Sequence, residues 1–225
     1  MYSQYHDLGD LFDKYNEVVN SANLMAFFTR DINLQKGNIA SLLELIEYVE
    51  EFKQESIQIE NEEKANFLLC LQLYARAIMT ELEMLVSLKE DNISEAWDYL
   101  VSAQNIVSST VRNYPFPTDG FCDHLSEYSA RFHQYEKLLF PQIWFLSRGS
   151  IVNETKCSIC EQSYSICDHL KGYAYMGKLC CEITEKVVKL EEISFVENPK
   201  DKRCRMTHFS SQGNKYDVLT LRKVS

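Results

Sequence analysis

The feature that most constrains this chain is a run of soft metal donors, CSICEQSYSICDHLKGYAYMGKLCC, spanning residues 157–181. It holds Cys157-x2-Cys160, then Cys167-x-His169, then Cys180. A CxxC turn aims two thiolates at one point. Cys167 and His169 are two residues apart, so in an extended segment both side chains face the same side. Thiolate and imidazole are the donors zinc prefers in closed tetrahedral sites.

Five residues compete for four places. Cys157, Cys160, Cys167 and His169 form the first set. Gly172 and Gly177 flank YAYM, which can turn a hairpin and return Cys180, so Cys180 is the alternate for Cys167 or His169. Cys181 would point the other way on a strand. With so many soft ligands the coordination sphere closes, which predicts a structural Zn2+ rather than a catalytic one. The HExxH and HxE…PCxxC patterns of catalytic zinc sites are absent from the sequence. A metal cross-link also suits residues 150–225, which lack a large apolar core.

Charge divides the chain at about the same place. Residues 1–149 carry 11 Lys and Arg against 23 Asp and Glu, a net −12, while 150–225 carry 12 against 10, a net +2. Cys, Gly and β-branched residues rise after Ser150. The reading is therefore two domains, an acidic α-helical bundle over 1–149 and a zinc knuckle with short antiparallel strands over 150–225. The fold class is α+β.

The first part reads as helices because apolar residues recur at three- and four-residue steps. One stripe is Leu8, Leu11, Tyr15, Val18 and Ala22, and a second is Leu42, Leu45, Ile46, Val49 and Phe52. The stretch from Phe67 to Leu88 is apolar on most sides, as a central helix with neighbours all around would be. Asn92 or Ser94 can cap the next helix, which buries Ile93, Trp97, Leu100, Val107 and Val111. YPFPTDG breaks the chain, and Phe121, Leu125, Tyr128, Phe132, Tyr135 and Leu139 form the last stripe. Five such helices make an antiparallel bundle. After Cys181, CEITEKVVKL, EISFVENP, CRMTHF and YDVLTL read as strands, with turns at Asn198-Pro199 and Gly213-Asn214.

Charge and cysteine usage also bound the function. A net charge of −10 disfavours nucleic acid and anionic membranes for the molecule as a whole. The opening residues have no basic segment followed by an apolar core, so no signal peptide is expected. Six of the eight Cys lie after residue 156 rather than spread through the fold, unlike a disulfide-stapled secreted protein, so a reducing cytoplasm is expected. There, clustered Cys with His means metal more often than disulfide. The expected function is a non-enzymatic zinc-binding interaction or adaptor protein, whose helical bundle contacts another protein. The alternative is nucleic-acid binding through Lys200, Lys202, Arg203 and Arg205, a basic cluster beside His208 and Phe209. Its bland counterpart is a solvated strand edge.

The same segment is similar to a zinc-knuckle-plus-strand element in uncharacterised bacterial and phage-associated proteins. Matching residues are Cys157, Cys160, Tyr164, Cys167, His169, Gly172, Tyr175, Gly177, Cys180, Ser194 and Pro199. The resemblance implies a metal module and a prokaryotic or viral origin. HNH-type nucleases also combine CxxC knuckles with an Asp-His pair, which Asp168-His169 resembles. In that family the histidine activates water and the acidic residue helps bind a divalent ion. The second CxxC and the later Asn and His of that family are missing here.

Overall fold

The computed structural model describes residues 5–116, 120–141 and 143–224. Residues 117–119 of the YPFPTDG breaker lie outside the described residues. Among the described residues, an all-helical region is followed by a β-rich region. The helices are α1 (Gly9–Phe28), α2 (Ile32–Gln58), α3 (Glu62–Lys89), α4 (Ile93–Asn113) and α5 (Gly120–Leu139). The strands are β1 (Phe145–Val152), β2 (Thr155–Cys157), β3 (Ala174–Tyr175), β4 (Lys178–Leu179), β5 (Glu182–Thr184), β6 (Val187–Val196), β7 (His208–Ser211), β8 (Asn214–Asp217) and β9 (Lys223–Val224).

The chain packs as two compact units: residues 1–133 with 170–180, and residues 134–169 with 181–225. This division states which residues pack together, whereas the shift near residue 150 states where composition changes. Residues spanning that shift form β1.

In the first unit α3 is the central helix, packed against α1, α2 and α4. Phe67, Leu68, Tyr74, Ile78, Leu82 and Met84 are buried around its circumference. Most members of the expected stripes are buried, but Phe52, Ile93, Phe121 and Tyr135 are half-buried and Leu139, at the end of α5, is exposed. Val19 replaces Val18 in the α1 core, and Val111 is exposed at the end of α4. The α2–α3 and α3–α4 links are tight because each preceding helix ends in a Schellman turn. Glu60 (φ +55°) and Asp91 (φ +64°) take the left-handed position. The amides of Asn61 and Asn92 then donate to the Ser56 and Ser87 carbonyls at 2.9 and 2.8 Å. Asn61 also caps α3 by accepting the Lys64 amide, whereas Asn92 sits at the α4 N-cap position with no side-chain cap bond.

The core of this unit holds a buried ion pair. The carboxylate of Glu81, fully buried, accepts the Tyr128 hydroxyl at 2.8 Å and the Arg131 guanidinium. Arg131 also lies over the rings of Tyr128 and Phe27.

The β3–β4 hairpin belongs to this unit as well. It turns at Met176 (φ +45°) and Gly177 (φ +72°), the mirror-image turn whose twist matches antiparallel strands. Two asparagines grip its backbone. Asn66 Nδ2 donates to the Ala174 carbonyl at 3.2 Å, and its Oδ1 accepts the Gly177 amide at 2.8 Å. Asn113 Nδ2 donates to the Gly172 carbonyl at 2.9 Å, and its Oδ1 accepts the Ala174 amide at 2.8 Å.

The second unit contains several small antiparallel sheets rather than one. β1 pairs with β6, β2 with β5, and β7, β8 and β9 form a meander. The β7–β8 turn falls at Gln212 and Gly213, both at positive φ, one residue before the expected Gly213-Asn214.

Candidate metal centre

The donors are positioned by a knuckle at the end of β2. Cys157 is the last residue of that strand and stands opposite Glu182 of β5. Past it the chain turns sharply, with Glu161 at φ +62°. The Glu161 amide donates to the Cys157 carbonyl at 2.9 Å, and the Cys157 amide donates to the Gln162 carbonyl at 2.9 Å. This turn brings Cys160 back beside Cys157. A short helical turn, Tyr164–Ile166, then delivers Cys167 in extended backbone, and His169 follows on the same side as expected.

The result is one cluster. Sγ atoms of Cys157, Cys160 and Cys167 and a ring nitrogen of His169 all lie within 4.8 Å of one another. Cys160 Sγ is 3.5 Å from Cys167 Sγ, and Cys167 Sγ is 3.3 Å from His169 Nδ1. Tetrahedral zinc with its usual bond lengths separates neighbouring sulfur and nitrogen ligands by roughly 3.5–3.8 Å. The donor set and its spacing therefore fit a small tetrahedral ion. Cys157 is buried, and the other three are half-buried.

The backbone supports charge on the sulfurs. The Ile159 amide donates to Cys157 Sγ at 3.3 Å, and the His169 amide to Cys167 Sγ at 3.2 Å. Hydrogen bonds of this kind favour the thiolate. Burial, with the crowding thiols of Cys160 and Cys157, outweighs that help at Cys167 and pushes its thiol up to about 11. Such a thiol needs a cation to hold it deprotonated at neutral pH.

Cys180 is buried in the first unit, where its amide donates to the Tyr173 carbonyl and its carbonyl accepts the Gly172 amide, both at 2.8 Å. It is not a member of the four-residue group. No family model matches this chain, and neither a curated protein nor a solved structure does. The knuckle resemblance thus corresponds to a Cys3His arrangement and identifies no family.

The remaining cysteines fall elsewhere. All eight are free thiols. Burial in α3 pushes the Cys70 thiol up to about 12, so Cys70 is inert. Cys122 donates to the Phe116 carbonyl, and His124 Nε2 lies 2.6 Å from the Tyr74 hydroxyl.

The basic stretch is partly engaged within its own unit. Lys202 pairs with Glu136 at 2.5 Å, and Arg205 is buried beside Phe145, with which it forms a β-bridge. One supporting residue escaped the sequence reading. Ser158 accepts the Cys181 amide on its Oγ at 2.7 Å, while its own amide donates to the Cys181 carbonyl at 2.9 Å. It ties the knuckle to the residue preceding β5. A hydroxyl between the two cysteines of CSIC was the only signal for it.

Proposed function

We propose that the protein is a non-enzymatic zinc-binding interaction protein. In this reading Cys157, Cys160, Cys167 and His169 hold a structural Zn2+, and the helical bundle contacts another protein. One observation carries it: four soft donors from a short stretch converge within 4.8 Å. Four protein ligands fill a tetrahedron and leave no position for a substrate or an activated water. The ion's role is then to fix the knuckle, which has few apolar residues of its own to do so. Three free thiols within reach of each other suit a reducing compartment such as the cytoplasm.

The bundle offers surface for a partner. Leu24 and Phe27 stand about one turn apart on α1 and are exposed, as are Leu34 and Leu43 on α2. Among the described residues no helix is long and apolar enough to cross a membrane. The engagement of Lys202 and Arg205 weakens any reading built on phosphate contacts.

Cobalt substitution tests the metal assignment. Adding Co2+ to the metal-free protein is expected to give intense visible bands of tetrahedral geometry with thiolate-to-cobalt charge transfer, and Zn2+ should bleach them. A weak octahedral spectrum would count against a closed Cys3His site.

A further inference from the structure

The ribbon of β1 and β6 carries an uncovered apolar face. Leu146 stands opposite Phe195, Arg148 opposite Ile193, Ser150 opposite Leu190 and Val152 opposite Val187. Opposite residues share a face, and every second residue along a strand returns to it. One face therefore presents Phe195, Ile193, Leu190 and Val187 of β6 beside Leu146, Arg148, Ser150 and Val152 of β1, while Lys189, Glu192 and Ser194 lie on the other with Ile151.

That arrangement depends on two bulges. The register shifts between Gly149 and Ser150 and between Ile151 and Val152. Each adds one residue to β6, Glu191 at the first and Val188 at the second. Without them, the three-residue spacing of Val187, Leu190 and Ile193 would throw alternate members to opposite faces. The bulges keep all of them together.

The face is bare. Phe195 is 67% exposed, Ile193 63%, Leu190 52% and Val187 47%, and Trp144, just before β1, is 59% exposed. With Val152, these side chains offer on the order of 600 Å² of apolar surface. That is at or above the largest patch on a typical monomer. A two-stranded ribbon is also marginal in water unless its apolar face is packed against something.

We propose that a second copy of this chain covers it, the two ribbons packing face to face about a two-fold axis. Two such faces bury roughly 1,200 Å² of apolar surface alone, which reaches the size of a stable interface. A two-fold interface sets the same patch of each copy against the other, so one apolar face on each chain supplies both sides of it. Charge allows it too. The unit that bears the ribbon has 12 Lys and Arg against 11 Asp and Glu, so two such units do not repel. The helical unit, with 11 against 22, would. The proposal does not depend on the metal assignment.

Sedimentation equilibrium of the full chain, with zinc supplied, tests it. The expected mass is twice 26.3 kDa at concentrations on the order of 100 μM. Ile193→Glu, at the centre of the face, should weaken association about 30-fold or more, with an unchanged far-UV circular dichroism spectrum. Phe195→Ser is a second, milder break that should act in the same direction. Lys189→Glu, on the other face, should leave the mass at the dimer value. A wild-type mass of 26.3 kDa throughout the range would overturn the proposal, even if the face then captured a different protein. So would equal loss of association in Ile193→Glu and Lys189→Glu.

Discussion

The sulfur atoms of Cys160 and Cys167 lie 3.5 Å apart, and the chain between them is a turn and a short helical loop with no buried apolar residue. Nothing in that loop has the hydrophobic payload to hold two bulky thiols in contact. In the reading proposed above, a shared ion supplies the missing attraction.

Removing one donor should therefore undo the knuckle locally. Cys160→Ser is expected to lower zinc affinity by more than the roughly 10–100-fold that follows loss of a hydrogen bond to a ligand. Amide exchange across residues 157–169 should accelerate in the variant. The α3 amides should keep their protection, because they belong to a unit with its own core. Unchanged exchange at the knuckle would show that the ion does not hold it.

Zinc affinity should rise with pH. Cys167 keeps its proton to about 11 without a cation, so binding at neutral pH must displace that proton. Each displaced proton makes the apparent affinity change by about tenfold per pH unit. Chelator competition across a pH series below 9 checks the slope, and a flat response would exclude a thiol ligand of this kind.

Cys70 behaves in the opposite sense to a ligand. Burial raises its pKa from the ordinary 9.0 to about 12, so the folded state binds its proton more tightly than the unfolded one. This thiol's share of stability is complete below about pH 9 and is lost as pH rises toward 12. Cys70→Ala should flatten that alkaline decline in urea melts. In the native protein Cys70 should resist iodoacetamide while the exposed Cys181 and Cys204 react.

Within the helical unit, Arg131→Ala should be costly. It would leave the fully buried Glu81 carboxylate without its guanidinium partner, a change expected to cost about 3–5 kcal/mol. Replacing both partners with leucine should cost much less. Urea unfolding of the single and double variants measures the difference.

The hairpin should come loose from its grip before the helices melt. Asn66→Ala removes a donor and an acceptor from the hairpin backbone, at about 1–3 kcal/mol. Gly177→Ala adds strain at φ +72°, and its new Cβ would sit 3.1 Å from Lys53 Cδ. Both variants should speed proteolysis near residues 172–178 without lowering the helical signal. Intact resistance in both would mean that the Asn66 bonds and the Gly177 turn contribute little to holding the hairpin.

The helical stripes and the donor cluster were legible because each is a local pattern. Leu42, Leu45, Ile46 and Val49 repeat along one helix, and the cluster lies between residues 157 and 169. The grip on the hairpin was not legible, because Asn66 and Asn113 sit on different helices at positions that read as ordinary polar surface. The ribbon face was hidden for a related reason. VVKLEEISFV has no clean two-residue alternation until two bulges realign it, and only pairing with β1 reveals where those bulges fall. The hairpin before Cys180 turns at Gly177 as that glycine suggests, and the group of four is the first set of donors, Cys157, Cys160, Cys167 and His169.

The most direct test is the metal content of the full chain, purified under reducing conditions without chelator and measured by mass spectrometry against protein concentration. The account expects about one zinc per chain, with Cys157, Cys160 and Cys167 protected from alkylation until the metal is withdrawn. A chain free of metal, whose three thiols react as fast as Cys181 does, would contradict it.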